Sequence, residues 1–165
     1  VMLSNNVGGA IYNNHRQFCG EHMRAGEIGH VIIVPDGLRC YCGQHGCVDA
    51  YCAATVLSNM TDGNLKLFFE KLGHGDEKAK QLWSEYLRHL AKALINVRML
   101  FDFPIIIGGY VGEYIDEYLP DLKLLIAGKN SFESNADYIL PCRYKVESIA
   151  TGAALYYIDE FLNTI

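Results

Sequence analysis

The first residues of the chain alternate between short apolar runs and polar turns, which is typical of strands joined by tight connections. Residues 1–3 and 7–12 are rich in apolar residues, and an Asn-Asn turn lies between them. A second Asn-Asn pair at 13–14 turns the chain again. Two strands are therefore predicted. Because the chain begins within a strand and without Met, we also expect it to be a segment of a longer protein.

Residues 20–46 form a segment rich in glycine and cysteine, with one brief apolar run at 31–34. Turn residues Pro35, Asp36 and Gly37 follow that run. The pattern predicts a long loop that contains one short strand.

Apolar residues recur every three or four positions from residue 49 onward, which predicts helices. Asp49 is placed to cap the first helix, and Thr61 or Asp62 to cap a second that closes near Gly73. The longest helix is predicted over residues 76–100, where one face carries Ala79, Leu82, Trp83, Tyr86, Leu87, Leu90, Ala91, Leu94 and Val97.

The period changes in the last third of the chain. "FPIIIGGYVGE" predicts a buried strand over residues 104–107, a break at a glycine pair and a helix over 112–125. "ADYILP" predicts a further strand before a last helix from Ser148, whose apolar stripe is Ile149, Ala153, Tyr157 and Phe161. Strand, glycine pair and helix in this order are typical of an open α/β sheet.

The composition fits one packed domain, since 50% of the 165 residues are hydrophobic. We divide it into a loop over residues 20–52, a helical segment over 49–100 and strand–helix units over 104–165. A net charge of −5 and a pI near 5.6 argue against a nucleic-acid surface on this chain. No apolar run reaches the ~20 residues that span a bilayer and no signal peptide is evident, so we expect a cytoplasmic protein without a membrane partner.

Four cysteines lie between residues 40 and 52, and they raise the question of a disulfide framework, a metal site or a catalytic site. In a reducing compartment, closely spaced cysteines more often bind metal. Cys40, Cys42 and Cys47 have the spacing C-x-C-x4-C among glycines, and His30 is the nearest fourth donor. We predict a closed, structural zinc site of three cysteines and one histidine. The remaining cysteines are predicted to be small core residues: Cys19, Cys52 and Cys142.

Glu27 and Asp49 flank this segment, and carboxylates bind vicinal hydroxyls well. The residue pattern leaves two interpretations of each open. Glu27 is either a ligand contact or a solvated side chain, and Asp49 is a ligand contact, a helix cap or both.

The run "AGEIGH", followed by "CYCGQHGC" and an acidic residue, resembles the signature of the ROK family of bacterial repressors and sugar kinases. "VGGAIYNN", "FPIIIGG" and "ESIATGAAL" extend the resemblance over most of the chain. It implies an actin-like, ribonuclease-H-like α/β fold with two lobes and a sugar cleft, of which this chain is similar to the C-terminal lobe.

The resemblance also implies roles for single residues. Glu27 and His30 would contact sugar hydroxyls, while His30 also ligates zinc. Asp49 stands where the family usually has Glu as a further sugar contact. Gly8, Gly9, Gly108 and Gly109 match glycines on the nucleotide side of the family.

Two functions follow from the resemblance. Kinase members carry a G-T-G-x-G-G turn at the ATP phosphates, where this chain has Ser4, Asn5 and Asn6 before Val7. The family's first phosphate motif and its catalytic Asp would precede Val1, so no catalytic residue is assigned here. We therefore expect the sugar-binding and oligomerising lobe of a transcriptional repressor, with DNA bound only through a separate N-terminal domain. The alternative is the C-terminal lobe of a sugar kinase using ATP and Mg²⁺. Either would bind a sugar or sugar phosphate and form a homodimer or homotetramer.

Overall fold

A computed structural model describes residues 1–130, 132–162 and 164. Its strands are β1 Met2–Leu3, β2 Val7–Gly8, β3 Ile11–Asn13, β4 Arg16–Phe18, β5 Ile105–Ile107 and β6 Ile139–Pro141. β1 pairs with β2 and β3 with β4, both antiparallel, whereas β5 and β6 are parallel.

The strands near the N-terminus differ from those predicted from the sequence. The predicted strand over residues 7–12 is divided between β2 and β3, because Gly9 lies against the next loop: a Cβ there would meet Ile28 Cδ1 at 2.4 Å. β4 was not predicted, since its residues are exposed on both faces and show no apolar alternation. Residues 31–34 do not form the predicted strand. Only an isolated bridge between Ile32 and Cys47 occurs there.

β1 lies beside β5 and joins the first and third strand pairs. Leu3 N donates to Gly108 O at 2.8 Å, and Gly108 N donates to Val1 O at 2.9 Å. The resulting order β2–β1–β5–β6 places the turn after β1 and the glycine pair after β5 side by side.

The helices are α1 Asp49–Cys52, α2 Ala54–Ser58, α3 Leu65–Gly73, α4 Glu77–Phe101, α5 Gly109–Gly112, α6 Ile115–Ala127 and α7 Ser148–Leu162. Ala53 has extended backbone and separates α1 from α2. Asn64, not Thr61 or Asp62, caps α3, because its side chain accepts from Leu67 N at 3.0 Å. The helix predicted over residues 112–125 corresponds to α6, which begins at Ile115, and the short helix α5 precedes it at the predicted glycine break.

The core forms around α4, and the predicted stripe on that helix is confirmed. Leu82 and Val97 are half-buried, and the other members of the stripe are buried. α7 differs: its predicted stripe is open to solvent, with Tyr157 70% and Phe161 65% exposed. Within residues 1–130, 132–162 and 164, no helix has both the length and the apolar character needed to cross a membrane.

Candidate metal and sugar site

The four predicted metal ligands lie together in the loop before α1. The ligand atoms of His30, Cys40, Cys42 and Cys47 are all within 4.8 Å of one another. Cys42 Sγ is 3.8 Å from Cys47 Sγ, and Cys40 Sγ is 3.9 Å from His30 Nδ1. Tetrahedral zinc with bonds of 2.0–2.3 Å separates its ligands by about 3.3–3.8 Å. The donor set and its spacing therefore fit zinc.

Glycine allows the loop to close around this cluster. Gly46 has φ +83°, and a Cβ there would lie 1.8 Å from Val34 O. Gly43 N donates to Cys40 O and Cys40 N donates to Gln44 O, which folds the chain back between the thiols. No larger residue fits at position 46, so the sequence signal of glycine among cysteines has a steric cause.

The thiols of the cluster differ in acidity. Burial, followed by the neighbouring thiols, raises the pKa of Cys47 to about 12. The backbone of Gln44 donates to the exposed Cys42 thiolate and lowers its pKa. Because metal ligation requires thiolates, a bound cation would have to stabilise the deprotonated form of Cys47.

His30 has its two ring nitrogens on opposite sides of the site. Nδ1 lies next to the thiol of Cys40, whereas Nε2 is 3.1 Å from the hydroxyl of Tyr41 and 4.0 Å from Glu27 Oε2. The side chain of His30 is 32% exposed and that of Glu27 63% exposed. A histidine that ligates metal through Nδ1 keeps its proton on Nε2. Nε2 then acts as a hydrogen-bond donor at the open surface, next to an acceptor carboxylate.

Asp49 lies behind this surface and does not cap α1. The cap position is Val48, without a side-chain hydrogen bond, so the predicted capping role is wrong. The Asp49 carboxylate instead accepts from Val7 N at 2.6 Å, and the residue is only 7% exposed. The tertiary fold turns this carboxylate toward β2. Its predicted sugar contact stays a prediction.

Tyr41 was missed by the sequence reasoning, although it lies between the predicted ligands Cys40 and Cys42. Its hydroxyl meets His30 Nε2, and the two rings meet edge to face with centroids 5.2 Å apart. Partial desolvation and then the charge of Asp49 raise the pKa of Tyr41, with a smaller contribution from Glu27. The C-x-C spacing was the available signal, since it holds the middle residue within reach of the metal ligands.

The structure gives different reasons for glycine at the four predicted nucleotide-side positions. A Cβ on Gly109 would lie 2.7 Å from Leu3 N, and one on Gly108 would lie 3.2 Å from Cys142 Cβ. Packing within the chain therefore explains both, as it explains Gly9. Gly8 is different, because a Cβ there would meet nothing within 4 Å. The fold itself does not require glycine at position 8.

A cavity of about 280 Å³ lies beside the turn after β1. It is lined by Asn5, Ala54, Ser58, Gly63, Leu65, Tyr110, Glu113 and Tyr114. Tyr110 of α5 and the two residues after that helix, Glu113 and Tyr114, therefore line the same cavity as Asn5 of the turn. The sequence pattern does not single them out.

The remaining cysteines confirm the core prediction in part. Cys52 is fully buried, whereas Cys19 and Cys142 are half-buried. Burial also raises the pKa of the Cys52 thiol far above its usual value. Cys52 is therefore a packing residue.

Comparison with known proteins identifies a family. The sequence profile of the ROK family matches residues 1–160. An N-acetylmannosamine kinase of Escherichia coli is 30% identical over 168 residues, which cover 98% of this chain and 57% of that kinase. The chain thus spans little more than half the length of this relative.

Solved structures share the fold. A ROK hexokinase from Thermus thermophilus superposes with a TM-score of 0.68 at 26% identity, covering 77% of this chain and 45% of that one. A ROK family transcriptional regulator, a homologue of the Escherichia coli MLC protein, gives 0.63 at 24% identity, covering 78% and 37%. These likenesses confirm the predicted actin-like α/β fold class.

Proposed function

The chain belongs to the ROK family, and from that premise we propose that it is the C-terminal lobe of an ATP-dependent sugar kinase that acts on an N-acylated hexosamine such as N-acetylmannosamine. The kinase activity is supported by the relative that is 30% identical over 98% of this chain. The sugar site is supported by one observation: His30 faces the thiols with Nδ1 and the open surface with Nε2.

The three side chains predicted to contact sugar each have a role in this proposal. Zinc, when bound, fixes the imidazole of His30. Nε2 donates to one sugar hydroxyl, and the Glu27 carboxylate accepts from the neighbouring hydroxyl. Asp49, which is shorter than the usual Glu, would use the carboxylate oxygen that Val7 does not occupy. The catalytic base would come from the rest of the kinase, as the family resemblance implies.

The turn after β1 can still approach a phosphate, although Ser4 and Asn6 replace glycines. Neither these two residues nor Asn5 between them adopts positive φ, so the backbone of the turn has no conformation that excludes side chains. Gly8 leaves open space where a Cβ would stand, and the adjacent cavity of about 280 Å³ could take part of a nucleotide. ATP and Mg²⁺ are the cofactors of this proposal, besides structural zinc.

The direct test incubates the full-length protein with ATP, Mg²⁺ and a panel of sugars and measures sugar phosphate by mass spectrometry. We expect phosphorylation of N-acetylmannosamine. Glu27→Gln should raise the KM about tenfold, the effect of one weakened hydrogen bond. Glu21→Gln, at another exposed glutamate of the same segment, should leave the KM unchanged. Absence of any sugar phosphate across the panel would refute the kinase.

A repressor lobe is the second candidate, and it was our expectation from the sequence. The replaced glycines in the turn after β1 favour it, and the transcriptional regulator shares its fold with the chain. The curated relatives favour the kinase. Sugar-dependent DNA binding by the full-length protein, without sugar phosphate formation, would decide for the repressor.

A further inference from the structure

Tyr41 lies on the open side of His30, where the proposed function places the sugar. Its hydroxyl is 3.1 Å from Nε2, while Glu27 Oε2 lies 4.0 Å from the same nitrogen. A sugar oxygen bound at Nε2 would be about 3 Å from that atom. The hydroxyl of Tyr41 therefore borders any sugar that His30 holds.

The backbone of Tyr41 is held while its side chain stays free to adjust. Its neighbours in sequence, Cys40 and Cys42, both belong to the thiol cluster. Tyr41 is 67% exposed. A rotation about its side-chain torsions can release Nε2 to a sugar without moving the loop, and the hydroxyl stays next to the ligand.

The chemistry of Tyr41 matches one class of sugar substituent. Because Nε2 carries its proton in the metal-ligating tautomer, it offers the Tyr41 hydroxyl no acceptor, and the phenolic O–H is free to donate to a ligand. The ring offers an apolar edge beside that donor. An N-acyl group has the complementary pair, a carbonyl oxygen that accepts and a methyl group that packs. A plain hydroxyl at the same ring position uses only half of this surface.

On the basis of the sugar site in the proposed function, we propose that Tyr41 is a specificity-determining residue. It contacts the substituent adjacent to the hydroxyls held by Glu27 and His30, and it favours N-acyl sugars over their hydroxyl counterparts. The hydroxyl of Tyr41 donates to the acyl oxygen, and its ring covers the acyl methyl group.

The test measures dissociation constants by calorimetry, without ATP, on the zinc-loaded full-length protein. The probes are two pairs, N-acetylmannosamine with mannose and N-acetylglucosamine with glucose. Tyr41→Phe keeps the ring and removes the hydroxyl. Tyr41→Phe should raise the dissociation constant of the preferred N-acyl sugar about tenfold, the effect of losing one hydrogen bond. The dissociation constant of its hydroxyl counterpart should rise less than about twofold. Tyr41→Ala should raise the dissociation constant of the N-acyl sugar further, because it also removes the ring. Tyr144→Phe, at a half-exposed tyrosine before α7, is the matched control and should change neither constant.

Several results would overturn the assignment. If Tyr41→Phe changed the dissociation constants of both sugars in a pair by the same factor, Tyr41 would not discriminate between them. If the variant bound both sugars more tightly, Tyr41 would only compete with the sugar for Nε2. Loss of zinc from Tyr41→Phe would place its role in the metal site. Failure of the wild-type protein to bind any of these sugars would overturn it as well. Sugar binding without phosphorylation would refute the kinase alone, because the ratio of dissociation constants would still test Tyr41.

Discussion

The backbone N–H of Val7 donates to the buried carboxylate of Asp49 at 2.6 Å, across 42 positions of sequence. Val7 begins β2, directly after the turn that replaces the family's phosphate glycines, and Asp49 begins α1, two residues after Cys47. One hydrogen bond thus joins the turn proposed for the nucleotide to the loop proposed for zinc and sugar. We therefore expect a substitution in the turn to affect the loop, and a substitution in the loop to affect the turn.

Asp49→Ala removes that acceptor and leaves a buried N–H unpaired. We expect a loss of about 1–3 kcal/mol in the free energy of unfolding, measured by urea denaturation. Asp49→Asn keeps an acceptor oxygen and should lose less. Asp121→Ala, on the exposed surface of α6, serves as the control and should change little. Equal stability of Asp49→Ala and wild type would show that this contact does not support the fold.

Cys47→Ser should abolish stoichiometric zinc binding, because it removes one of four ligands in a closed site. Atomic emission spectroscopy of the purified protein measures the metal content, and a thermal melt should show a lower midpoint. Cys19→Ser, outside the cluster, should retain both properties. A Cys47→Ser protein with full zinc content and an unchanged midpoint would contradict the assignment.

Two glycine substitutions distinguish a role in packing from a role in nucleotide binding. Gly109→Ala tests packing, and Gly8→Ala tests the approach of a phosphate to the backbone. Gly109 has φ +85°, and a Cβ would lie 2.7 Å from Leu3 N, so alanine should cost about 1–3 kcal/mol or more of stability. Gly8 has open space, so Gly8→Ala should keep the melting temperature and weaken ATP binding by the full-length protein. Unchanged nucleotide affinity in a stable Gly8→Ala variant would argue against phosphate approach at that residue.

Glu133 forms an ion pair with Arg98, which itself stacks over the ring of Tyr138 at 4.4 Å. The Arg98 side chain, by hydrogen bonding, lowers the pKa of Glu133 below its usual value. Because the folded pKa is lowered, the stabilisation is complete above about pH 4–5, the range of an unfolded glutamate, and is lost as pH falls through the folded pKa.

Urea denaturation at several pH values tests this pair. The stability difference between wild type and Glu133→Gln should be largest near neutral pH and shrink on acidification. Glu21→Gln should show no such trend. A difference between wild type and Glu133→Gln that stayed constant down to about pH 2 would rule out a role for ionised Glu133.

Local chemistry explains what could be predicted at the metal site and in the long helix. The three thiols and the glycines that let them converge lie within eight consecutive residues, so their spacing already restricts the geometry. The stripe of α4 repeats with the period of the helix itself, and each member reports the same buried face. Such signals need no knowledge of the rest of the fold.

Contacts distant in sequence explain what could not be predicted. The pattern offered Asp49 as a cap, but the position of β2 decided where its carboxylate points. It offered β1 and β5 as separate strands, whereas hydrogen bonds that join Gly108 to Leu3 and to Val1 make them neighbours. The apolar stripe of α7 gave no sign of its exposure, because periodicity indicates which residues share a face and not what covers that face.

Sequence alone indicated the family, the four residues that converge as a candidate metal site, and the order of most helices and strands. Folding sets which nitrogen of His30 faces the thiols, which tyrosine contacts the other nitrogen, and which glycines packing requires. This division arises because ligand spacing and helical period are properties of a few adjacent residues. The direction of a side chain and the space around a glycine depend on segments brought together only by folding.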